Sequence, residues 1–171
     1  ERSVVRGTRF ETGGKAADGV AIKPRTNEGK LFTTSLTVRG SLFERNLRQG
    51  LSILGGALDA DGLVIVGPGT ATARPGLLAQ DAPEVPKSTI LLRHGWFSGS
   101  TRVQVSIRNS DATVEHVVAT GGVAEADGNN GGGLYFGPNA TFTLRSSLVE
   151  KTPAWGVVTE GAVGSIDGLV V

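Results

Sequence analysis

Two short patterns of apolar and polar positions alternate along the whole chain. In the first pattern, two apolar residues flank a third residue, and a short link leads to an adjacent apolar pair, as in Leu36 and Val38 followed by Leu42 and Phe43. Apolar residues at every second position are typical of a strand with one buried face, because successive side chains point to opposite faces of a sheet. The first pattern therefore predicts two short strands joined by a tight link.

The second pattern is a glycine followed directly by a short apolar strand, as in Gly50, Leu51 and Ile53. The glycines that begin this pattern are Gly19, Gly50, Gly76, Gly133 and Gly156. Residues 103–105 form a version without the glycine. We expect these glycines to be structural, as a requirement of the turn that precedes each strand.

The spacing of the first pattern is regular. It starts at residues 36, 58, 90, 112, 142 and 164, so the spacings are 22, 32, 22, 30 and 22 residues. A unit of 22 residues thus alternates with the same unit carrying an insertion. Residues 36–65 and 142–171 align without gaps and share eleven identities in thirty, against roughly two expected from average residue frequencies. Repeats of this length indicate a solenoid of stacked units.

The two patterns together supply three strands per unit and no helix. The chain contains 26 glycines, and no window of about twelve residues has helical periodicity. Equivalent strands of successive units stack into long parallel sheets around a shared interior. The sequence predicts an all-β fold in which residues 1–171 form a single domain, a single-stranded parallel β-helix of about six to seven coils.

The strands that follow glycine, together with residues 36–46 and 142–151, resemble the right-handed parallel β-helix repeat family, the pectate-lyase-like solenoids. The resemblance covers essentially the whole chain. It implies a right-handed coil, in agreement with the general preference for right-handed crossovers between parallel strands. These motifs belong to the fold and specify no activity.

Enzymes of this class that cleave polysaccharides present clustered carboxylates, or acidic calcium ligands with a basic residue. In this chain the acidic residues are scattered, and His94 with Gly95 is all that matches a Gly-His-Gly motif. The sequence therefore favours a non-catalytic module of a secreted or cell-surface bacterial protein, serving as a rigid scaffold or an adhesive binding surface. A polysaccharide lyase or glycoside hydrolase of the same fold is the alternative.

The two ends of the chain carry incomplete units. Val4 and Val5 resemble the end of a preceding row, and Leu169 with Val170 forms an apolar pair that no glycine strand follows. Natural solenoids cap their ends, because open strand edges and exposed core residues favour aggregation. We therefore expect this chain to be part of a longer rod.

Charge and composition limit the classes of partner that this chain is expected to bind. The 17 basic and 16 acidic residues are interspersed, and the formal net charge is +1. This balance argues against nucleic acid and anionic membranes, and an aromatic content of 5% provides no stacking platform for bases. No apolar stretch is long enough for a membrane-spanning helix. Because the chain has no cysteine, disulfides and zinc–thiolate sites are excluded. A polysaccharide or a protein is the expected partner.

Insertions occur at equivalent places in the long units. Residues 6–18, 66–75 and 120–132 lie between an apolar pair and the next glycine strand, and residues 23–33 and 80–87 follow a glycine strand. Stacking brings equivalent insertions to one edge of the rod, where loops on a rigid scaffold often bind ligands. The alternative is that insertions accumulate where they do no harm.

Several residues in or near these insertions are candidates for binding. Asp127, Asn129 and Asn130 offer oxygen ligands, so Asp127 and Asn129 are weak candidates for a Ca²⁺ site, although the loop matches no complete calcium motif. Turn chemistry explains this loop adequately, and we expect no cofactor. Arg74, in the insertion 66–75, is a further candidate binding residue.

The aromatic residues are the other candidates. Trp155 lies on a turn where the core needs no large side chain, and Tyr135 lies at an outward strand position, so both are candidates for docking a sugar ring or a protein. Trp96 belongs to an apolar pair, and we expect it to be buried.

Two further features have a structural and a functional interpretation. His94 and His116 are one 22-residue unit apart, which favours a stacked or solvated ladder over a metal or acid–base site. Asn46 falls at a bend between strands, where we expect a left-handed backbone conformation that asparagine tolerates.

Overall fold

The fold is built entirely from strands in the part of the chain that the structure describes. The structure, a computed structural model, describes residues 3–6, 19–28, 30–46, 49–67, 75–80, 85–124 and 131–171 of the 171-residue chain. These ranges contain twenty strands and no helix, which confirms the all-β prediction. Accordingly, no membrane-spanning helix is found among the described residues.

Eighteen of the strands form three parallel sheets of six strands each. Sheet A consists of β1 (Val4–Arg6), β6 (Leu42–Glu44), β9 (Val64–Val66), β12 (Trp96–Ser98), β15 (Val118–Thr120) and β18 (Leu148–Glu150). Sheet B consists of β2 (Val20–Ile22), β7 (Leu51–Leu54), β10 (Leu77–Gln80), β13 (Val103–Ile107), β16 (Gly132–Phe136) and β19 (Val157–Thr159). Sheet C consists of β5 (Ser35–Arg39), β8 (Ala57–Asp61), β11 (Ser88–Arg93), β14 (Ser110–Glu115), β17 (Thr141–Arg145) and β20 (Val163–Asp167).

The chain visits sheets A, B and C in turn, which agrees with a β-helix. The glycine pattern forms sheet B, and the first pattern forms sheet C and then sheet A. The insertion 23–33 interrupts the cycle with an antiparallel hairpin of β3 (Arg25–Asn27) and β4 (Lys30–Phe32). The segments 7–18, 68–74 and 125–130, which belong to the predicted A-to-B insertions, lie outside the described residues.

The register of sheet C confirms the repeat spacing. The residues that begin the first pattern pair in sequence from coil to coil: Leu36, Leu58, Ile90, Ala112, Phe142 and Gly164. The alignment is kept across spacings of both 22 and about 30 residues, because the additional residues lie outside the strands.

Alternate side chains of every sheet point into one shared interior. Leu51 and Ile53 on β7 pair with Leu77 and Ala79 on β10, and all four are fully buried. A continuous cluster of buried apolar residues extends through the described part of the stack. Apolar burial of this kind is the main stabilising contribution in the fold.

In each apolar pair of sheet A between residues 42 and 149, one member is buried and the other is not. Phe97 is fully buried whereas Trp96 is 46% exposed, so the expectation that Trp96 is buried is wrong. The reason is strand geometry, since adjacent side chains point to opposite faces. The other inward position belongs to Gly95, which is glycine because a Cβ there would lie 2.6 Å from Cε2 of Phe97.

The left-handed bend residue is not Asn46. Arg45 has a φ of 54°, and Lys151 has a φ of 53° at the equivalent position of the repeat, whereas Asn46 is not left-handed. Asn46 is instead buried, and its Nδ2 would lie 2.6 Å from a Cβ at Gly19. Its structural role is therefore to pack against the neighbouring coil.

The glycines that begin the sheet B strands are required by close packing between coils. None of the five has a left-handed φ. A Cβ at Gly19 would lie 2.5 Å from the carbonyl oxygen of Gly50, and a Cβ at Gly133 would lie 2.5 Å from that of Gly156. These carbonyls accept hydrogen bonds from the first strand residues, such as Val20. Larger side chains would push the coils apart.

Apolar side chains are exposed at the last strand of sheet C. Ile166 on β20 is 46% exposed, whereas Leu144 and Val114, in the same inward row, are fully buried. That the chain is part of a longer rod stays a prediction.

Candidate functional site

The outer face of sheet B carries a cleft of about 340 Å³. Its lining residues come from strands β10, β13 and β16, from the turns next to β10 and β13, and from the turns before β7 and β19. They are Gln49, Pro75, Leu78, Gln80, Arg102, Val103, Ser106, Arg108, Tyr135 and Trp155. Most of these residues lie on or beside paired strands, which hold the described part of the lining in place.

The floor of the cleft is a row of outward side chains on adjacent strands. Leu78 pairs with Ser106, and Ser106 pairs with Tyr135. The inward neighbours of these residues, such as Val105 and Leu134, are buried in the core and hold the strands in place. The floor therefore combines one aliphatic, one hydroxyl and one aromatic side chain on a rigid surface.

Trp155 and Tyr135, the two aromatic candidates of the sequence, meet at one end of this cleft. Their ring centroids are 6.4 Å apart and the rings are tilted by 52°. Trp155 lies just before β19, and Tyr135 lies on the adjacent strand β16. A tilted pair at this separation is a favourable aromatic geometry, and it leaves both rings as part of the cleft lining.

Two glycines make room for the aromatic pair. A Cβ at Gly132 would lie against the indole of Trp155, with Cδ2 at 2.5 Å. A Cβ at Gly137 would lie 2.8 Å from Cγ of Arg108 and 2.9 Å from the hydroxyl oxygen of Tyr135. Neither glycine was predicted to belong to the site, although both lie at the ends of β16 near Tyr135, and a glycine beside an aromatic residue can indicate space made for the ring.

The Tyr135 side chain is held from both sides. Its hydroxyl donates a hydrogen bond of 2.7 Å to Oε2 of Glu160, and Cζ of Arg108 lies 5.0 Å from the ring centroid. Burial is the main cause that raises the pKa of Tyr135, and the bond to Glu160 adds to it. The phenol therefore stays protonated at neutral pH and is a fixed part of the cleft wall.

Gln49 contributes a buried polar group at the opposite side of the cleft. The residue is only 2% exposed, and its Oε1 has no hydrogen-bond partner among the described residues. A buried acceptor without a partner costs about 1–3 kcal/mol, and because this oxygen is enclosed by protein, Gln49 lines the cleft through its other atoms. Sequence analysis did not identify Gln49.

The charged residues of the described lining are two arginines. Arg102 and Arg108 line the cleft, and no aspartate or glutamate of the described ranges is part of the lining. Cleavage of a glycosidic bond by acid–base chemistry requires a pair of carboxyl groups about 5–9.5 Å apart across the bond. The described lining provides hydrogen bonds, aromatic contact and positive charge, which are the chemistry of binding.

The carboxylates of sheet C form an ion-pair ladder on a different face. Arg39 donates to the Asp59 carboxylate at 2.6 Å, and Arg93 donates to the same carboxylate at 3.0 Å. The hydrogen bond from Arg39 is the largest cause that lowers the pKa of Asp59. A hydrogen bond of 2.8 Å between Asp61 and Nδ1 of His94 is the largest cause that lowers the pKa of Asp61. The lowered pKa values keep both carboxylates ionised at neutral pH, whereas a catalytic acid has to carry a proton.

The two histidines stack on adjacent coils, as the sequence favoured. The rings of His94 and His116 are 5.1 Å apart between centroids and nearly parallel, at 4°. Within the described ranges, no group of three or more histidine, cysteine, aspartate or glutamate side chains is placed to hold a metal ion. The stacked imidazole rings thus form a contact between two adjacent coils.

The structure does not describe the remaining candidates of the sequence. Arg74, Asp127, Asn129 and Asn130 are outside the described residues. The described ends of their segments, Pro75 and Gly131, both lie between sheet A and sheet B, on the side of sheet B where the strands begin. Comparisons of this chain with protein-family models, with curated proteins and with solved structures found no match.

Proposed function

We propose that this chain is a non-catalytic module of a secreted or cell-surface bacterial protein and that it binds a polysaccharide in the sheet B cleft. In the finer fold assignment that goes with this proposal, the chain is a right-handed β-helix of the pectate-lyase-like type with about six to seven coils. The observation that carries the function is the pairing of Trp155 with Tyr135 above a polar strand surface.

The size of the cleft supports a sugar ligand over a protein partner. Sites for small ligands are concave, with volumes of about 300–1,000 Å³, aromatic walls and a few placed polar groups. A cleft of about 340 Å³ falls at the lower end of that range and suits one or two sugar units. A protein partner typically needs about 800 Å² of contact surface on each side.

The polar side chains fit the same ligand. Gln80 and Ser106 present an amide and a hydroxyl group, which donate to and accept from sugar hydroxyls. The aromatic faces of Trp155 and Tyr135 match the apolar face of a pyranose ring. A polysaccharide would lie along sheet B, with one of its sugar rings against Trp155 and Tyr135.

The distribution of carboxylates supports binding without cleavage. Glu160, which accepts from the Tyr135 hydroxyl, is the acidic residue next to the aromatic pair. The described acidic pair Asp59 and Asp61 belongs to sheet C and is committed to ion pairs. A polysaccharide lyase or hydrolase remains the alternative that an activity assay distinguishes.

The test is a glycan array followed by titration of the bound glycan with two matched variants. Trp155→Ala is expected to lower the affinity at least about tenfold, because aromatic anchors at binding sites contribute about 2 kcal/mol or more. Trp96→Ala is the control, since Trp96 is also exposed but lies on sheet A. Equal affinities of the two variants, or binding to no glycan, would overturn the proposal.

A reducing-sugar assay on the same glycan separates the two functions. The non-catalytic proposal expects no release of reducing ends over extended incubation. Release that depends on Glu160 would replace the proposal with the enzyme alternative.

A further inference from the structure

The outer face of sheet A carries a continuous row of apolar side chains. This apolar row is formed by the first residue of every sheet A strand: Val4, Leu42, Val64, Trp96, Val118 and Leu148. Neighbours in the row pair directly from coil to coil, and Val170 pairs with Leu148 beyond them. No member is buried, because the residue after each one points into the core. A contiguous apolar strip on a protein surface indicates an interaction site.

A row of alternating charges runs beside the apolar row. This charged row is formed by the last residue of every sheet C strand: Arg39, Asp61, Arg93, Glu115, Arg145 and Asp167. The sign changes at every coil, and none of these residues is buried. Each charged residue precedes an apolar outward residue by three positions, as Arg93 precedes Trp96. The two rows therefore lie side by side along the edge where sheet C turns into sheet A.

The alternation fits a second copy of the chain that runs in the opposite direction. When the two copies are related by a two-fold axis that lies along the strands, midway between β12 and β15, every charge of the row meets an opposite charge. The pairs are Arg93 with Glu115, Asp61 with Arg145, and Arg39 with Asp167. An axis through a strand would pair like charges, which lowers affinity, so the alternation also sets the register.

The same axis fits the apolar row. Trp96 of one copy then meets Val118 of the other, so the largest side chain of the row faces a small one on both sides of the axis. Val64 meets Leu148 in the next coil. An apolar centre that contains a tryptophan, with polar groups at the rim, is the common arrangement of protein interfaces.

We propose that two copies of this chain associate antiparallel through the outer face of sheet A, with Trp96 at the centre and the charged row at the rim. The observation that carries this inference is the self-complementary order of the charges. The inference is independent of the proposed function, because the sheet B cleft consists of other residues and a change at Trp96 leaves that cleft unaltered.

The size of the face predicts a weak and reversible dimer. A strand spacing of about 4.8 Å gives a length of about 24 Å from Leu42 to Val170, and the segment from Arg39 to Glu44 gives a width of about 20 Å. This face of roughly 500 Å² is smaller than the contact of about 800 Å² per partner in a stable complex. We therefore expect a dissociation constant between about 10 μM and about 1 mM.

Sedimentation velocity of the chain at concentrations up to about 1 mM measures the association. The wild type is expected to shift from monomer to dimer. Trp96→Ala is expected to raise the dissociation constant at least about tenfold, because a central tryptophan typically contributes most to an interface. Phe32→Ala, which removes another exposed aromatic side chain on the hairpin strand β4, is the control. A wild type that stays monomeric, or a dimer that Trp96→Ala leaves unchanged, would overturn the inference.

Exchanging charges at the axis tests the antiparallel register. Arg93→Glu and Glu115→Arg each bring like charges together in their own dimers, so each is expected to weaken self-association at least about tenfold. An equimolar mixture of the two variants is expected to recover the wild-type association, because both contacts across the axis again join opposite charges. Lys87→Glu and Asp111→Lys are the matched controls, since this exposed ion pair joins the same two coils at the other end of the sheet C strands. No recovery in the mixture, or an equal loss in the controls, would contradict the register.

A cross-link identifies the face even where a charge variant fails to fold. The chain has no cysteine, so Ser98→Cys on β12 introduces a single thiol beside the axis. A short bismaleimide is expected to link two copies of this variant. It is not expected to link copies of Thr141→Cys, whose thiol lies at the start of β17 on sheet C. Equal cross-linking of the two variants, or none in either, would overturn the inference.

Discussion

Replacing Gly132 by alanine tests how the aromatic pair is held on sheet B. A Cβ at this position would lie 2.5 Å from Cδ2 of Trp155, whereas carbon atoms pack best at about 3.5–4.0 Å. The indole therefore has to withdraw by about 1 Å or swing away from the strand. The backbone of Gly132 has no left-handed φ, so alanine meets no conformational strain there. The three atoms nearest to the added Cβ all belong to the indole, so the ring is the group that has to move.

The expected cost follows from these contacts. Overpacking a well-packed site costs about 1–3 kcal/mol. Trp155 lies on a turn and is only half-buried, so its ring has room to move, and we expect a value of about 1–2 kcal/mol for Gly132→Ala. The tilted contact with Tyr135, which contributes about 0.5–1.5 kcal/mol, is lost in the same movement. The affinity of Gly132→Ala for the glycan is expected to fall by about the same factor as we expect for Trp155→Ala.

A double-mutant cycle in urea measures this directly. Gly132→Ala is expected to lower the free energy of unfolding by about 1–2 kcal/mol alone, but by less than about 0.5 kcal/mol in the Trp155→Ala background, where no ring is displaced. The same cycle with Trp96→Ala is the control and should be additive, because Trp96 lies on sheet A. Equal costs of Gly132→Ala in all backgrounds would refute the account of the aromatic pair.

Two further predictions test the stacked core and the ion-pair ladder. Leu92→Ala should lower the free energy of unfolding in urea by about 2–5 kcal/mol, because Leu92 is fully buried between Ala60 and Val114. Ile166→Ala, in the same row of sheet C, should lower it by only about 1 kcal/mol, because Ile166 is partly exposed. Equal values for the two variants would contradict a shared interior. The lowered pKa values of Asp59 and Asp61 mean that their ion pairs stabilise the fold above about pH 4, the unfolded value, and that this contribution is lost as pH falls through the lower folded values. Urea midpoints of the wild type and Asp59→Asn should therefore differ at pH 7 and converge near pH 2; a constant difference would contradict the ladder.

The repeat and its register could be predicted from the sequence because they depend on local rules. Strand periodicity and a fixed spacing identify which residues stack, and Leu36, Leu58 and Ile90 pair as expected. The same rules do not say which member of an adjacent apolar pair faces inward. The prediction puts Trp96 on the wrong face because the inward position before it is Gly95, which has no side chain to mark it as part of the core. The Phe97 ring occupies the space beside Gly95.

The cleft was only partly predictable, because it is assembled across coils. Trp155 and Tyr135 were identified one by one from their polar surroundings, but their meeting depends on the pairing of β16 with β19. Gln49 and Arg108 have no local signal, since each becomes a cleft residue only through neighbours on other strands. The prediction puts the left-handed residue at Asn46, one position too late. The preference of asparagine for this conformation is weaker than the geometry of the bend, which gives Arg45 the positive φ.

Fluorescence of single-tryptophan variants tests the central claim, that glycan binds at the sheet B cleft, most directly. The chain has two tryptophans, so Trp96→Phe leaves Trp155 as the only reporter and Trp155→Phe leaves Trp96. Titration with the glycan selected on the array should shift the emission of the Trp96→Phe variant to shorter wavelength in a saturable manner, because a sugar ring on the indole excludes water. The Trp155→Phe variant should show no shift. A shift confined to Trp155→Phe, or saturable binding without any change in the emission of Trp155, would contradict the account.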